Sequence, residues 1–181
     1  MARDLREFVG ALESRGLLKR VRAEVSPILE IPEILRRVMY SRGPAVLFEN
    51  VKGHPGWRVV GNLFCCEEAV KVGLGVGSLD EVGQRVSAPL RALGGDVAQA
   101  LASLALLPRD AGRAEFVEDP SLNLQSLPSF KAWPKDGGRY LTYPLVVHYE
   151  EVDGRRVANF GVYRVMIVGE REAVVHMQTY K

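Results

Sequence analysis

A chain of 181 residues, 47% apolar and 25% charged, can bury the core of one domain, or of one domain and part of a second. Its net charge of +2 gives no long-range attraction for nucleic acid, and no apolar run approaches the roughly 20 residues that span a bilayer. The start, Met1–Phe8, lacks the apolar core of a secretory signal, so the chain reads as cytoplasmic, with no nucleic-acid partner and no membrane span.

Leu5, Phe8, Val9 and Leu12 recur at helical spacing across residues 2–15, and Gly16 supplies the stop. Leu17 to Val25 alternates apolar with charged side chains, the pattern of a half-buried strand. Pro32, well placed in a first turn, opens a second helix through Met39, with Ile34, Leu35 and Val38 on one face. Ala45–Phe48 and Trp57–Val60 read as strands joined by the turn-rich Lys52–Gly56, in which His54 is expected to be solvated. Helical character follows at Glu67–Leu74, Leu79–Val86 and Val97–Leu107. Strands succeeded by helices give an α+β class, helices lying against a mainly antiparallel or mixed sheet.

Between Pro108 and Pro128 the chain turns polar and loses its period, which places a domain boundary there. Residues 1–107 then form an amino-terminal domain, 108–126 a linker and 127–181 a β-rich segment. In that segment Tyr140–Tyr149 is one strand, Asp153-Gly154 a turn, Arg156–Val168 the next strand, and Ala173–Tyr180 a third after Gly169–Glu172. Three antiparallel strands look like the start of a barrel or sandwich and are too few to close one.

Several side chains invite chemistry. Gly73–Gly77 has neither the preceding strand nor the Lys-Ser/Thr of a phosphate loop and reads as a link between helices. Cys65 and Cys66, being adjacent, frame no disulfide scaffold and lack metal-ligand spacing; they are a vicinal thiol pair or simply buried cysteines. His148 ends a strand beside Glu150 and Glu151, and neither it nor His54 has the partners of a nucleophile–base arrangement. Trp133–Gly138 demands unusual backbone shape, either for a site or as a plain loop into a strand. Asn159 and Arg164 point to opposite faces of a regular strand, and a bend near Gly161 would turn both towards one ligand. Asn offers an oxygen to a divalent ion, and Arg forks onto a carboxylate or phosphate.

The blocks Asp4–Phe8, Gly43–Gly53, Gly61–Phe64, Leu127–Gly138 and Asn159–Arg164, in that order, resemble the UbiD-type decarboxylases over residues 4–181. The resemblance implies an α+β fold: an amino-terminal mixed α/β domain followed by the opening antiparallel strands of a flavin-reductase-like split β-barrel. It implies prenylated FMN as cofactor, with a metal ion, divalent manganese or alternatively monovalent potassium, bridging its phosphate to ligands that begin at Asn159. Val162, Tyr163 and Arg164 would wrap the flavin, His176, Met177 and Gln178 would add contacts, and Lys181 matches a basic position beside it. Arg164 would be catalytic, facing the carboxylate of an unsaturated or aromatic acid that loses carbon dioxide without net oxidation. The implied partners are that acid, further copies of the chain in a homo-oligomer, and a prenyltransferase that supplies the flavin.

Two departures qualify the match. A turn centred between Glu170 and Arg171 sets His176 opposite Val165, on the order of 13–20 Å from Asn159, so His176 is a poor second metal ligand. Tyr180 stands nearer, where many relatives carry a metal-binding histidine. The family's glutamates, metal ligand and proton donors alike, lie beyond Lys181. One asparagine does not hold a metal unaided. The expectation is part of a carboxy-lyase, inactive alone, whose remaining barrel and carboxy-terminal domain come in cis or as a second chain. The alternative is a non-catalytic domain that binds a flavin or a protein partner through its open sheet.

Overall fold

Phe48 and Ile31 lose all contact with solvent, and a hydrophobic core closes around them. In chain order the elements are α1 (Leu5–Ser14), β1 (Leu18–Val25), α2 (Glu30–Tyr40), β2 (Ala45–Val51), β3 (Val59–Gly61), α3 (Glu67–Leu74) and α4 (Leu79–Ala92), then a 3-10 turn at Leu124–Ser126. They continue with β4 (Arg139–Leu141), β5 (Leu145–Val152), β6 (Arg155–Val162), β7 (Val165–Ile167) and β8 (Ala173–Val175). The structure, a computed structural model, describes residues 2, 4–92 and 121–176. The helix expected at Val97–Leu107, most of the linker and the end of the last strand lie outside them. The class is mixed α/β with small sheets.

Contacts divide the described residues into two units, one within Met1–Leu18 and Leu63–Pro120, the other within Lys19–Asn62 and Ser121–Lys181. In the first, Asp4 caps α1 by accepting from the Glu7 amide at 2.8 Å, and Phe8 and Leu12 turn inward one helical turn apart. The Phe8 ring meets Phe64 at 5.5 Å, and both rings press on Gly73, where a Cβ would come within 3.1 Å of Phe8. The glycine run is thereby explained without a ligand. Gly73 makes room for rings, Gly75 ends α3 in the left-handed region, and Gly77 donates its amide to Glu81 at the start of α4.

In the second unit, β1, β2 and β3 form a sheet in that order, with β2 antiparallel to β3. Val25, Val46, Val51 and Val59 surround Phe48 and Ile31, and Ile34, Leu35 and Val38 of α2 pack onto them, as the apolar face of the sequence predicts. His54 departs from expectation. It is 5% exposed, and its Nδ1 lies 2.7 Å from the Ser126 carbonyl oxygen, so Nδ1–H donates and the loop 52–57 is tied to the 3-10 turn. A histidine between proline and glycine gave no hint of a partner 72 residues away.

The β-rich part differs most from its sequence reading. The expected strands Tyr140–Tyr149 and Arg156–Val168 each break in two. β4, β7 and β8 form one antiparallel sheet, and β5 with β6 forms a separate two-stranded ribbon. Leu141 pairs with Val165 and Leu145 with Val162, so three residues on one side of the break face two on the other. That mismatch is a bulge, and it re-aims the ribbon. Tyr143 takes up the extra residue at φ 67, in the left-handed region. Asp153 and Gly154 close the ribbon, both at positive φ, as the Asp-Gly signal predicts.

Replacing Phe48 with alanine is expected to destabilise the chain by about 3–5 kcal/mol, since a fully buried ring would leave a cavity. Urea unfolding measures it, and an unchanged midpoint would refute this placement of the core.

Candidate active site

Trp133-Pro134-Lys135-Asp136 folds into a tight turn because the Asp136 amide donates to the Trp133 carbonyl at 3.0 Å. The Asp136 carboxylate then bends back and accepts from the Ala132 and Trp133 amides, both at 3.0 Å. Its other oxygen stands 3.6 Å from Arg164 Nη2, a charge contact rather than a hydrogen bond. Two glycines follow. A Cβ on Gly138 would meet Met166 Sδ at 2.8 Å, so glycine lets β4 lie close against the β7 side chain.

Arg164 sits at the break between β6 and β7. Its guanidinium stacks over the Tyr140 ring at 3.7 Å, and its carbonyl accepts from the His176 amide at 3.2 Å. Tyr140, Arg164, Met166, Val174 and His176 line a cleft of about 360 Å³. Apolar walls with one fixed cation suit a flat ring system or an acid with an apolar body. His176 lies one position from its expected register, opposite Arg164 instead of Val165. The turn is tighter than assumed, because the Val168 and Gly169 amides both donate to the Glu172 carbonyl at 3.1 Å.

The other expected residues lie elsewhere. Tyr163 folds its ring over Gly161, where a Cβ would meet ring atoms at 2.8 Å. That glycine makes room for a ring, and the bend expected at Gly161 falls instead between Val162 and Val165. Val162 ends the ribbon, paired with Leu145 and 51% exposed. Asn159 is exposed on β6 and pairs across the ribbon with His148; it does not line the cleft. Met177, Gln178, Tyr180 and Lys181 lie outside the described residues. Among the described residues no three His, Cys, Asp or Glu side chains gather to hold a metal, so Asn159 and its neighbours do not by themselves fit a divalent ion.

Of the residues that line the cleft, sequence reasoning singled out Arg164 and His176 and did not name Tyr140, Met166 or Val174. Asp136 carried a readable signal, an aspartate closing a Trp-Pro turn. Tyr140, Met166 and Val174 carried none beyond strand alternation.

Hydrogen bonding from the Trp133 amide holds the Asp136 carboxyl below its ordinary 3.8, with smaller contributions from the Ala132 amide and the Arg164 charge. Asp136 is therefore an anion at neutral pH, able to hold Arg164 in place before any acid arrives.

The chain matches known proteins along most of its length. Residues 9–86 match the amino-terminal domain of 3-octaprenyl-4-hydroxybenzoate carboxy-lyase, and residues 109–181 match its Rift-related domain. The chain belongs to the UbiD family. An uncharacterized protein of Aeropyrum pernix is 49% identical over 98% of the chain and 39% of its own length. Among solved structures, UbiD-class HmfF from Pelotomaculum thermopropionicum, in an evolved dimeric form in complex with prFMN, superposes with a TM-score of 0.71. It is 25% identical, and the match covers 97% of this chain and 38% of that one. The vanillic acid decarboxylase of Sedimentibacter hydroxybenzoicus, in open form, gives 0.66 at 28% identity, over 95% and 36%. The chain thus spans about two fifths of the length of these relatives.

An NMR titration of the Asp136 carboxyl should give a midpoint below 3.8. Because folding depresses this value, the stability it contributes is whole above the ordinary value and is lost as pH falls through the folded one. Arg164→Gln should raise the midpoint only part of the way, since the larger backbone contribution remains. A full return to 3.8 would show that Arg164, not the turn, governs this carboxylate.

Proposed function

We propose that this chain supplies the carboxylate-recognising part of a carboxy-lyase that removes carbon dioxide from an unsaturated or aromatic acid with the help of prenylated FMN. The observation that carries the reading is Arg164, braced by Asp136 and Tyr140 at the edge of a largely apolar cleft. The family supports it, and so do a relative in complex with prFMN and another that is a vanillic acid decarboxylase.

In this reading Arg164 forks onto the substrate carboxylate, and the Tyr140 ring keeps the guanidinium plane fixed, so little order is lost on binding. Met166 and Val174 exclude water from the apolar body of the acid. The flavin, when bound, supplies an electron sink for the bonding pair left behind by carbon dioxide. Val162, Tyr163, His176, Met177, Gln178 and Lys181 are the proposed flavin contacts. Asn159 is proposed as one metal ligand whose companion donors come from outside the described residues. Residues 127–181 would open a split β-barrel after an amino-terminal domain ending near 107. A homo-oligomer and a prenyltransferase supplying the cofactor belong to the same proposal.

A second reading is favoured by the ribbon. Leu145, Val147, Tyr149, Phe160 and Val162 share one of its faces, and each is more than half exposed. Such a face suits a domain that binds a partner without catalysing anything.

The test is reconstitution of the full-length protein with prenylated FMN, followed by a panel of aromatic and acrylic-type acids assayed for release of carbon dioxide and for bicarbonate exchange. Turnover is expected for at least one acid, and Arg164→Ala should lower kcat/KM by about 10²-fold while flavin absorbance is retained. Flavin binding without turnover on any acid would favour the second reading. Full activity in the Arg164 variant would remove that residue from the mechanism.

A further inference from the structure

Met166 stands at the middle of the sheet face that lines the cleft. It pairs with Tyr140 on β4 and with Val174 on β8, so these three residues form one row across the sheet. Arg164 and His176, joined by a backbone hydrogen bond, form the next row towards the break. On the other side of Met166 lies Gly138, two residues before Tyr140 and therefore on the same face. Because β4 and β7 run antiparallel, Gly138 and Arg164 flank Met166 in opposite directions, each about 7 Å from its row at strand rise.

The methionine leans towards the glycine. A Cβ on Gly138 would lie 2.8 Å from Met166 Sδ and 3.1 Å from its Cγ, so the thioether fills the space that a side chain at 138 would take. Gly138 is not among the glycines at positive φ, and its backbone does not demand glycine; the room it leaves is what counts. Met166 is unbranched and adapts readily, so a larger residue at 138 would displace it instead of breaking the sheet. Its other neighbours on this face, Tyr140, Val174 and Arg164, all line the cleft. A displaced methionine therefore swings over the cleft.

We propose that Gly138 and Met166 together set the size of acid that the cleft admits. The glycine holds the methionine away from Arg164, and the cleft of about 360 Å³ keeps room for an aromatic body behind the carboxylate. The substrate class is then an aromatic acid, not a short acrylic one. This rests on Arg164 being the carboxylate contact. The pair determines specificity and touches no reacting atom.

The test uses the full-length protein loaded with FMN in place of its prenylated form, so that binding is read without turnover. Dissociation constants for crotonate, benzoate and 2-naphthoate are measured by saturation-transfer NMR. Gly138→Ala should weaken 2-naphthoate relative to crotonate by about 10-fold, the scale of a methylene-sized change in an apolar pocket. Adding Met166→Ala to that variant should restore the ratio, which a general loss of structure would not allow. Met166→Phe leaves Gly138 intact and should shift the ratio the same way, covering a Gly138 variant that does not fold. An unchanged ratio in both single variants would overturn the proposal, as would a loss in Gly138→Ala that Met166→Ala does not restore. Failure of the unaltered protein to bind any of the acids would remove Arg164 as the carboxylate contact, and this role of the pair with it.

Discussion

Two consecutive residues, Phe130 and Lys131, join the entry of α2 to the sheet of β4 in the larger unit. Phe130 exchanges both backbone hydrogen bonds with Tyr140, at 2.8 and 2.9 Å, while the Lys131 carbonyl accepts from the Leu29 amide at 2.8 Å. The Phe130 side chain meanwhile packs against the cluster around Phe48. Backbone pairing is thus carried from the entry of α2 to β4 through one dipeptide, and the core holds that dipeptide by its ring. β4 positions β7, and the chain just before β7 carries Arg164. The only described buried side-chain polar atom without a hydrogen-bond partner, Ser129 Oγ, lies next to this junction. An unpaired hydroxyl costs on the order of 1–3 kcal/mol where the fold can least yield.

From the junction the arginine inherits its geometry in short steps. Its guanidinium rests on the ring of Tyr140, the residue that pairs with Phe130. Its counter-charge comes from a turn that begins two residues after Lys131. Its backbone is gripped by His176 from the next strand. Each support is a local consequence of pairing, so the site needs no long loop to assemble it.

The amino-terminal elements could be read from the sequence because their signals are local. The helical spacing of Leu5, Phe8, Val9 and Leu12, the stop at Gly16 and the apolar–charged pattern before Val25 report on their own neighbourhoods, and the structure places α1 and β1 there, although burial along β1 does not alternate strictly. His54 could not be read that way, since its partner is a distant carbonyl. The strand breaks escaped for a different reason. In Tyr140–Tyr149 the apolar and β-branched residues outweighed Pro144, which has no amide for a ladder and sits at the break, while neither Tyr143 nor Arg164 belongs to a residue type that announces a bulge. Asn159 and Arg164 were both singled out, yet the same break that exposes Arg164 to the cleft leaves Asn159 on another sheet. Intrinsic preference proposed one long strand, and the three-against-two pairing imposed two.

The ribbon of β5 and β6 carries a thermodynamic consequence. Among the described residues it pairs with no third strand, and its apolar face is open. A lone two-stranded hairpin is only marginally stable in water. Arg156 stacked over Tyr149 at 4.0 Å and the Asp153-Gly154 turn preserve its register but do little to cover that face. Whatever comes to lie against it therefore contributes to the folding of the ribbon as well as to its own attachment. Affinity for that surface and local stability become one linked quantity, and a substitution at Phe160 would be felt in both.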